Sequence, residues 1–279
     1  YLHTFMLSAR HAFADRFGYL GDWEHHNIPI SGLLSPLYAK EIAKEVNNPT
    51  FEIRELGDRE PLVEFMENPI HDPWDYETKQ KVLVPSHPAM DTNNEDTTHI
   101  NVVDKDRNAV SCTHTGVFAK GLNPPGTGVA MVGGMGWFIP KPGYPNSMAP
   151  WKRPMNNMSP FMVLENNRPI LMQGAPGARR IMNRNAQVIL NVLLFGMSPQ
   201  EAIVQPVVDV SGRKTFVDSR MDSSVVNSLL DLGHDIELLE EEPAPTGYFA
   251  RPSAIQIDYD KNILKAGVDS YRPTTALGY

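Results

Sequence analysis

The chain has 279 residues, of which 41% are hydrophobic, 9% aromatic and 21% charged, and its formal net charge is −8. Ordinary apolar content excludes a disordered or collagen-like chain, and the acidic surplus argues against a nucleic-acid partner because phosphates require a basic face. The one cysteine, Cys112, excludes an intrachain disulfide and a cysteine–zinc cluster. No apolar run reaches the roughly 18–20 residues of a membrane-spanning helix, so a soluble protein is predicted.

The part of the chain before residue 97 is predicted to be helical and then irregular. Apolar side chains over 2–13 follow the spacing of one helix face, and Ser35 with Pro36 marks the start of a second helix. From 67 to 96 the pattern dissolves into prolines and asparagines, and only Val82–Val84 is strand-like, so we predict a mobile connector. No signal peptide precedes the first helix, and we expect an upstream segment or a separate subunit to be missing.

Strands dominate from residue 97 onward. They are predicted over 98–103, 109–115, 127–132, 160–164, 169–173, 236–239, 254–259 and 263–268. Helices are predicted over 179–195, where both faces are apolar, after the capping box Ser198-Pro199-Gln200-Glu201, and over 223–232. Strands on both sides of a buried helix pair predict a layered α+β sandwich.

Most catalytic motifs are absent, including the nucleophile elbow, the zinc-protease helix and the phosphate-binding loop. Gly126–Gly128 and Gly133–Gly136 lack the spacing of a dinucleotide fingerprint and are interpreted as turns. Glu24, His25 and His26 have no third ligand at a useful spacing, so a solvated loop is favoured over a metal site. We predict no metal and no other cofactor.

A threonine at the start of a strand, directly after the acidic connector, suggests a catalytic role for its hydroxyl. If the chain is cut between Asp96 and Thr97, the Thr97 hydroxyl becomes a nucleophile and its own α-amine, with a pKa of about 8, becomes the base. On these residues alone a structural strand start is the simpler interpretation, because β-branched side chains suit the pleat. A free amine makes a histidine base unnecessary, so His99 and His114 are predicted to face a polar sheet edge.

An ordered series of motifs favours the chemical interpretation. The runs YLHTFMLSARHAFADRFGYLGD, TTHINVVDKDRNAVSCTHT, KRPMNNMSPFMV and GAPGARRI, with the final GY, resemble the γ-glutamyltranspeptidase family over nearly the whole chain. The resemblance implies an N-terminal-nucleophile hydrolase with a four-layer αββα sandwich, made as a zymogen that cleaves itself between Asp96 and Thr97. Residues 1–96 would then belong to the large-subunit region and 97–279 would form the small subunit. The remainder of the large subunit would be the partner in a hetero-oligomer.

The resemblance also assigns the reacting groups. It implies that Thr97 is the nucleophile and that Thr115 supports its hydroxyl. Gly177 and Ala178 match a glycine pair whose backbone N–H groups hold the oxyanion. Because backbone donors do this work, alanine is acceptable there provided that its φ stays negative.

The substrate pocket departs from the family pattern. Positions that hold the glutamyl α-amine in the family are here Val117, Gly134 and Trp137, which offer no carboxylate or side-chain amide. The paired serines that help to bind the α-carboxylate are replaced by Asn156 and Asn157, which can still donate hydrogen bonds. Another acid, such as Asp209 or Asp269, would have to meet an ammonium group if the γ-glutamyl specificity were kept.

The sequence therefore predicts an amide hydrolase or acyltransferase that acts through a Thr97 acyl-enzyme on a small acyl or γ-glutamyl-like amide, with hydrolysis faster than transfer. One alternative is a true γ-glutamyltransferase that uses glutathione. The other is an unprocessed, inactive homologue that serves as a binding partner. The cellular compartment is left open.

Overall fold

The computed structural model describes residues 1–47, 72–77, 97–116, 123–129, 131, 133–139, 142–212, 214–241, 248–271 and 273–278. Its helices are α1 Leu2–Tyr19, α2 Ile30–Leu33, α3 Pro36–Val46, α4 Arg180–Phe195, α5 Pro199–Val204 and α6 Ser223–Asp231, with 3-10 turns at Pro73–Tyr76 and Gly134–Trp137. Its strands are β1 Thr97–Val103, β2 Ala109–Thr115, β3 Phe161–Glu165, β4 Arg168–Gly174, β5 Val208–Asp209, β6 Thr215–Asp218, β7 Ile236–Leu239, β8 Ser253–Asp258 and β9 Ile263–Val268. The predicted strand Val82–Val84 lies outside the described residues.

Two of the sheets lie face to face. β1 and β2 form an antiparallel hairpin, and β3, β4, β8 and β9 form a four-stranded antiparallel sheet in the order β3-β4-β8-β9. The hairpin packs on β4 and β8, while the side chains of Leu171 and Gln173 point from β4 towards α4. Because side chains alternate along a strand, the hairpin and α4 cover opposite faces of the larger sheet. The described residues thus form a sheet, a second sheet and a helix layer in succession.

A third sheet has the order β5-β6-β7; β7 matches the predicted strand over 236–239, whereas β5 and β6 were not predicted from the sequence. β5 has only two residues and β6 four, which is too short for a clear alternation. β6 and β7 are parallel and are connected through α6. α1 and α6 share a core with this sheet, formed by Met6, Val208, Val210, Val217, Val226 and Leu229.

Local sequence signals for helix starts and turns are confirmed. The Ser35 side chain accepts the N–H of Leu37 at the start of α3, and Ser198 and Glu201 form the reciprocal capping box of α5. Asn166 and Asn167 connect β3 to β4 with φ values of 49° and 63°, as a tight hairpin turn requires.

One structural prediction is wrong and another is confirmed only in part. The described residues of 127–132 belong to no strand, because Gly126 and Gly128 adopt φ values of +80° and +64° and turn the chain. α4 is buried as predicted over most of its length, since no residue from Arg180 to Val192 is exposed, but its last three residues are exposed. Its polar face, including Gln187, is buried, whereas Leu194 is 67% exposed near its end.

α1 precedes residue 97 in the sequence but packs among elements that follow it. Phe13 and Phe17 form a buried cluster with Met155, and the Arg10 guanidinium donates to the Thr215 hydroxyl at 2.8 Å. No helix in the described ranges combines the length and the hydropathy that crossing a membrane demands. The regions before and after residue 97 therefore share one core.

Candidate active site

Thr97 and Thr115 face each other at the open end of the hairpin. They are register partners, and their hydroxyl oxygens are 3.1 Å apart. Alternating burial along both strands directs these side chains inward, and Thr115 is only 8% exposed. The structure brings together the two threonines singled out in the sequence, at hydrogen-bonding distance.

His99 lies two residues further along the same face of β1 and contacts the end of β4. Its Nδ1 is 2.8 Å from the Thr113 hydroxyl and its Nε2 is 3.0 Å from Asn101 Oδ1. A Cβ atom at Gly174 would lie 2.2 Å from His99 Cε1, so the imidazole requires glycine there. The prediction of a polar sheet edge is wrong for His99, which lies between two sheets, whereas His114 is exposed.

The hydrogen bonds and the burial of His99 together favour a neutral ring. Asn101 Nδ2 donates to the backbone oxygen of Ser253 at 3.0 Å, so its Oδ1 is the atom that meets the imidazole. Nε2 therefore carries a proton, and in the neutral ring Nδ1 accepts from the Thr113 hydroxyl. Burial lowers the pKa of His99, although the hydrogen bond to Asn101 opposes this. His99 sets the spacing between hairpin and sheet as an uncharged group.

Gly177 and Ala178 form the turn between β4 and α4. Gly177 has a φ of +139°, and a Cβ atom there would lie 2.5 Å from the Cα of Ala250, so glycine is required. Ala178 has a φ of +52°, which corrects the expectation of a negative value. The carbonyl oxygens of both residues accept N–H groups of the first turn of the helix, at 3.2 and 3.3 Å. The turn thus stands at the helix N-terminus, where backbone N–H groups favour an anion.

The left-handed backbone of Ala178 gives a stability prediction. Because a Cβ in this region costs about 1 kcal/mol, Ala178→Gly is expected to raise the free energy of unfolding by about 0.5–1 kcal/mol, measured by denaturant melts. Ala175→Gly is the control, since Ala175 is fully buried in the same turn and has no positive φ. Equal loss of stability in both variants would contradict strain at Ala178.

Asn156 and Asn157 lie together beside α1. The Arg16 guanidinium donates to Asn157 Oδ1 at 2.7 Å and to the Asn156 backbone oxygen at 3.0 Å, while Asn156 Oδ1 accepts the Met158 N–H at 3.0 Å. Both side-chain oxygens are engaged, and the amide nitrogens have no acceptor among the described residues. The arrangement suits the predicted donation to a carboxylate or carbonyl.

Arg16 is a site neighbour that the sequence analysis missed. It is 8% exposed, and burial together with the nearby charge of Arg179 lowers the pKa of Arg16 to about 10, so that it stays cationic at neutral pH. A usable signal was its spacing: it lies three residues after Phe13 on the buried face of α1.

Asp22 anchors the segment that carries the two asparagines. Its oxygens accept the Arg153 backbone N–H and guanidinium at 2.7 Å each. Burial opposes ionisation of the carboxylate, but the hydrogen bonds from Arg153 and from the Glu24 N–H outweigh it and lower the pKa of Asp22 to about 2. The end of α1 is thereby tied to the residues before Asn156.

This lowered pKa predicts an acid-dependent loss of stability. The contribution is present above the unfolded pKa of about 4 and disappears as pH falls to about 2, with a size of about 2 kcal/mol. Asp22→Asn should remove that part of the pH dependence, as seen in unfolding free energies between pH 5 and 2. Glu165→Asn, at an exposed acid, is the control. An unchanged slope in Asp22→Asn would contradict the assignment.

The remaining predicted pocket positions have no described hydrogen bond to the two threonines. Val117 lies outside the described residues. Gly134 and Trp137 are half-buried on one 3-10 turn, and within the described part no hydrogen bond joins this turn to Thr97 or Thr115.

The acids considered as substitutes for the missing pocket groups have other partners. Asp209 accepts from Asn183 Nδ2 at 2.7 Å and from the Ser211 hydroxyl at 2.8 Å, and Asp269 faces Arg251. Glu24 pairs with the Arg153 guanidinium at 3.1 Å. In the ranges that the structure describes, no group of three or more His, Cys, Asp or Glu residues is placed to hold a metal ion.

Comparison with known proteins identifies relatives of the whole chain. A family model described as Gamma-glutamyltranspeptidase matches residues 1–279. The glutathione hydrolase proenzyme of Bacillus subtilis (strain 168) is 28% identical over 270 residues, 96% of this chain and 43% of that protein. The acylase ACY 1 proenzyme of Pseudomonas sp. (strain V22) is 37% identical over 143 residues, 50% of this chain and 26% of that protein. The chain thus spans less than half the length of these relatives.

A solved structure agrees with these matches. The T380A mutant of Helicobacter pylori gamma-glutamyltranspeptidase superposes with a TM-score of 0.53 and 29% identity, covering 62% of this chain and 99% of the solved chain. This likeness places the fold among the N-terminal-nucleophile hydrolases. Within that class, the chain belongs to the gamma-glutamyltranspeptidase family.

Proposed function

We propose that the chain is part of a self-processing amide hydrolase or acyltransferase whose nucleophile is Thr97, released by cleavage after Asp96. The observation that carries the proposal is the pair of hydroxyls on Thr97 and Thr115, 3.1 Å apart at the start of β1. Family membership supports the reaction class, because the relatives named above are proenzymes of hydrolases and acylases.

In the proposed mechanism, the freed α-amine of Thr97 takes the proton of its own hydroxyl, whose oxygen attacks the amide carbonyl. The Thr115 hydroxyl donates to the attacking oxygen and orients it. N–H groups at Gly177 and Ala178 stabilise the oxyanion of the tetrahedral intermediate. The amine leaves with the proton from the Thr97 ammonium, and water attacks the resulting ester by the same route, releasing the acid.

The proposed division is a large-subunit region over 1–96 and a small subunit over 97–279. Residues 97–279 are 183 of 279, or 66% of the chain, close to the 62% that matches 99% of the solved Helicobacter pylori chain. The described sheet, sheet and helix layers are consistent with three layers of an αββα sandwich. The fourth layer, and a hetero-oligomeric assembly, would come from the rest of the relatives' length.

For the substrate, we propose a small acyl amide that lacks an α-amine. Gly134 and Trp137 offer no counter-charge to an ammonium group, and Asp209 and Asp269 are engaged elsewhere. The second candidate is a glutathione-type γ-glutamyl amide. It is favoured by the likeness to the Bacillus subtilis glutathione hydrolase proenzyme over 96% of the chain.

Mass spectrometry of the purified protein tests the proposal. We expect a fragment whose first residue is Thr97 and, during turnover of an acyl anilide, an added acyl mass on that residue. A matured N-terminus at any other residue, or an acyl group on another side chain, would overturn the assignment. Persistence of the uncut chain in active protein would do so as well.

A further inference from the structure

A buried ionic cluster centred on Arg251 lies directly behind the turn of Gly177 and Ala178. Arg251 is 1% exposed, and its guanidinium is 2.6 Å from Glu241 Oε1 and 3.5 Å from Asp269 Oδ1. Removing one member of such a buried cluster leaves an uncompensated charge, which is strongly unfavourable. The cluster therefore holds the arginine in a single position.

The backbone at Arg251 is hydrogen-bonded to the residue that precedes the turn. Its N–H donates to the Pro176 carbonyl oxygen at 3.0 Å. Its neighbour Ala250 touches the Cα side of Gly177 so closely that no Cβ would fit between them. The turn and this neighbour also share a small hydrophobic cluster whose members are each at most 1% exposed: Ala175, Ile181 and Ala250. The conformation of the turn is thus set from outside by residues 250 and 251.

We propose that Arg251 is a positioning residue for the oxyanion-binding turn. Pinned by Glu241 and Asp269, it fixes the direction of the N–H groups at Gly177 and Ala178 through its own backbone and Ala250. This inference rests on the proposed function of the turn. In this role Arg251 makes no bond to substrate and takes part in no covalent step.

The role has a kinetic signature that simple stabilisation of the fold lacks. Oxyanion donors act where charge develops in the transition state, so their misalignment lowers kcat and leaves substrate binding nearly unchanged. A boronic acid in which boron replaces the acyl carbonyl carbon forms a tetrahedral adduct with a nucleophilic hydroxyl, and it should lose affinity in parallel with kcat. A variant that is only less stable keeps both values while it remains folded.

The first test compares Arg251→Met with Arg168→Met in the matured protein. The Arg251 guanidinium lies 5.5 Å from the centre of the Tyr271 ring. Arg168 is the matched control because its guanidinium also lies over a tyrosine ring, 4.3 Å from the centre of Tyr259, but on the exposed surface. Burial raises the pKa of Glu241 to about 7, so assays at pH 8 keep the cluster ionic. We expect kcat to fall by about 10- to 100-fold in Arg251→Met, with KM within twofold, and no change beyond twofold in Arg168→Met.

Two milder variants keep the test decisive if Arg251→Met does not fold. Asp269→Asn and Arg251→Lys are each expected to lower kcat and boronate affinity by about 3- to 10-fold at temperatures well below their melting points. Folded variants with kcat within twofold of the wild type, or with a change confined to KM, would overturn the proposal. Failure of the proposed function itself is distinguishable, since the wild-type protein would then show no hydrolysis that depends on Thr97.

Discussion

Thr97→Ala is expected to abolish cleavage before residue 97 and to lower kcat for amide hydrolysis by at least about 10³-fold, because no other group supplies the nucleophilic oxygen. Thr97→Ser should keep part of both activities, since serine retains the hydroxyl and the α-amine. Gel analysis of the purified chains follows cleavage, and anilide release follows turnover. The variant protein should keep its fold, because Thr97 sits at the open end of a hairpin.

The neighbouring threonine provides a matched control. Thr98 also begins the strand and is also β-branched, but its side chain faces outward and is exposed. Thr98→Ala should therefore cleave and hydrolyse at rates close to the wild type. Residual turnover in Thr97→Ala above one tenth of the wild-type value would exclude Thr97 as the nucleophile.

A γ-glutamyl anilide is expected to be hydrolysed at least tenfold more slowly, in kcat/KM, than a glutaryl anilide of the same leaving group. The two acyl groups differ only by the α-amine. An ammonium beside Gly134 and Trp137 would lose hydration without gaining a partner, and leaving such a group unpaired can cost up to about 10⁴-fold. Parallel assays on the matured protein measure this ratio directly.

Restoring a carboxylate sharpens the test of specificity. Trp137→Asp should raise the relative rate with the γ-glutamyl anilide by about tenfold or more, because an ion pair then compensates the ammonium. Trp151→Asp introduces the same change at a tryptophan that is 96% exposed and should leave the ratio unaltered. A wild-type preference of tenfold or more for the γ-glutamyl compound would establish the glutathione-type substrate instead.

Short-range signals explain which parts of the fold could be predicted from the sequence. Ser35-Pro36 and the capping box at Ser198 determine local backbone geometry within four residues, so both helix starts are confirmed. Two strands of the three-stranded sheet could not be predicted, because β6 is held by parallel pairing with β7, about twenty residues later. A two-residue strand such as β5 has no periodicity to detect.

In the candidate site, too, short-range features could be predicted from the sequence and long-range contacts could not. The order of motifs is sufficient to identify Thr97 and Thr115 as a pair, and the structure places their hydroxyls in contact. Contacts between distant segments, such as the approach of His99 to Gly174, could not be predicted from the sequence. The positive φ of Ala178 was missed for a related reason, since it is imposed by packing of the turn rather than by the alanine itself.

The shared core of α1 also bears on what the proposed cleavage would leave behind. Met6 from the first helix packs with Val217 and Leu229, which lie more than a hundred residues beyond the proposed cut. Residues on both sides of the proposed scissile bond therefore belong to one core, which a cut before Thr97 would leave in place. If the chain is cut as proposed, the two pieces would be held together by this buried surface, and we expect them to elute together until a denaturant melts that core.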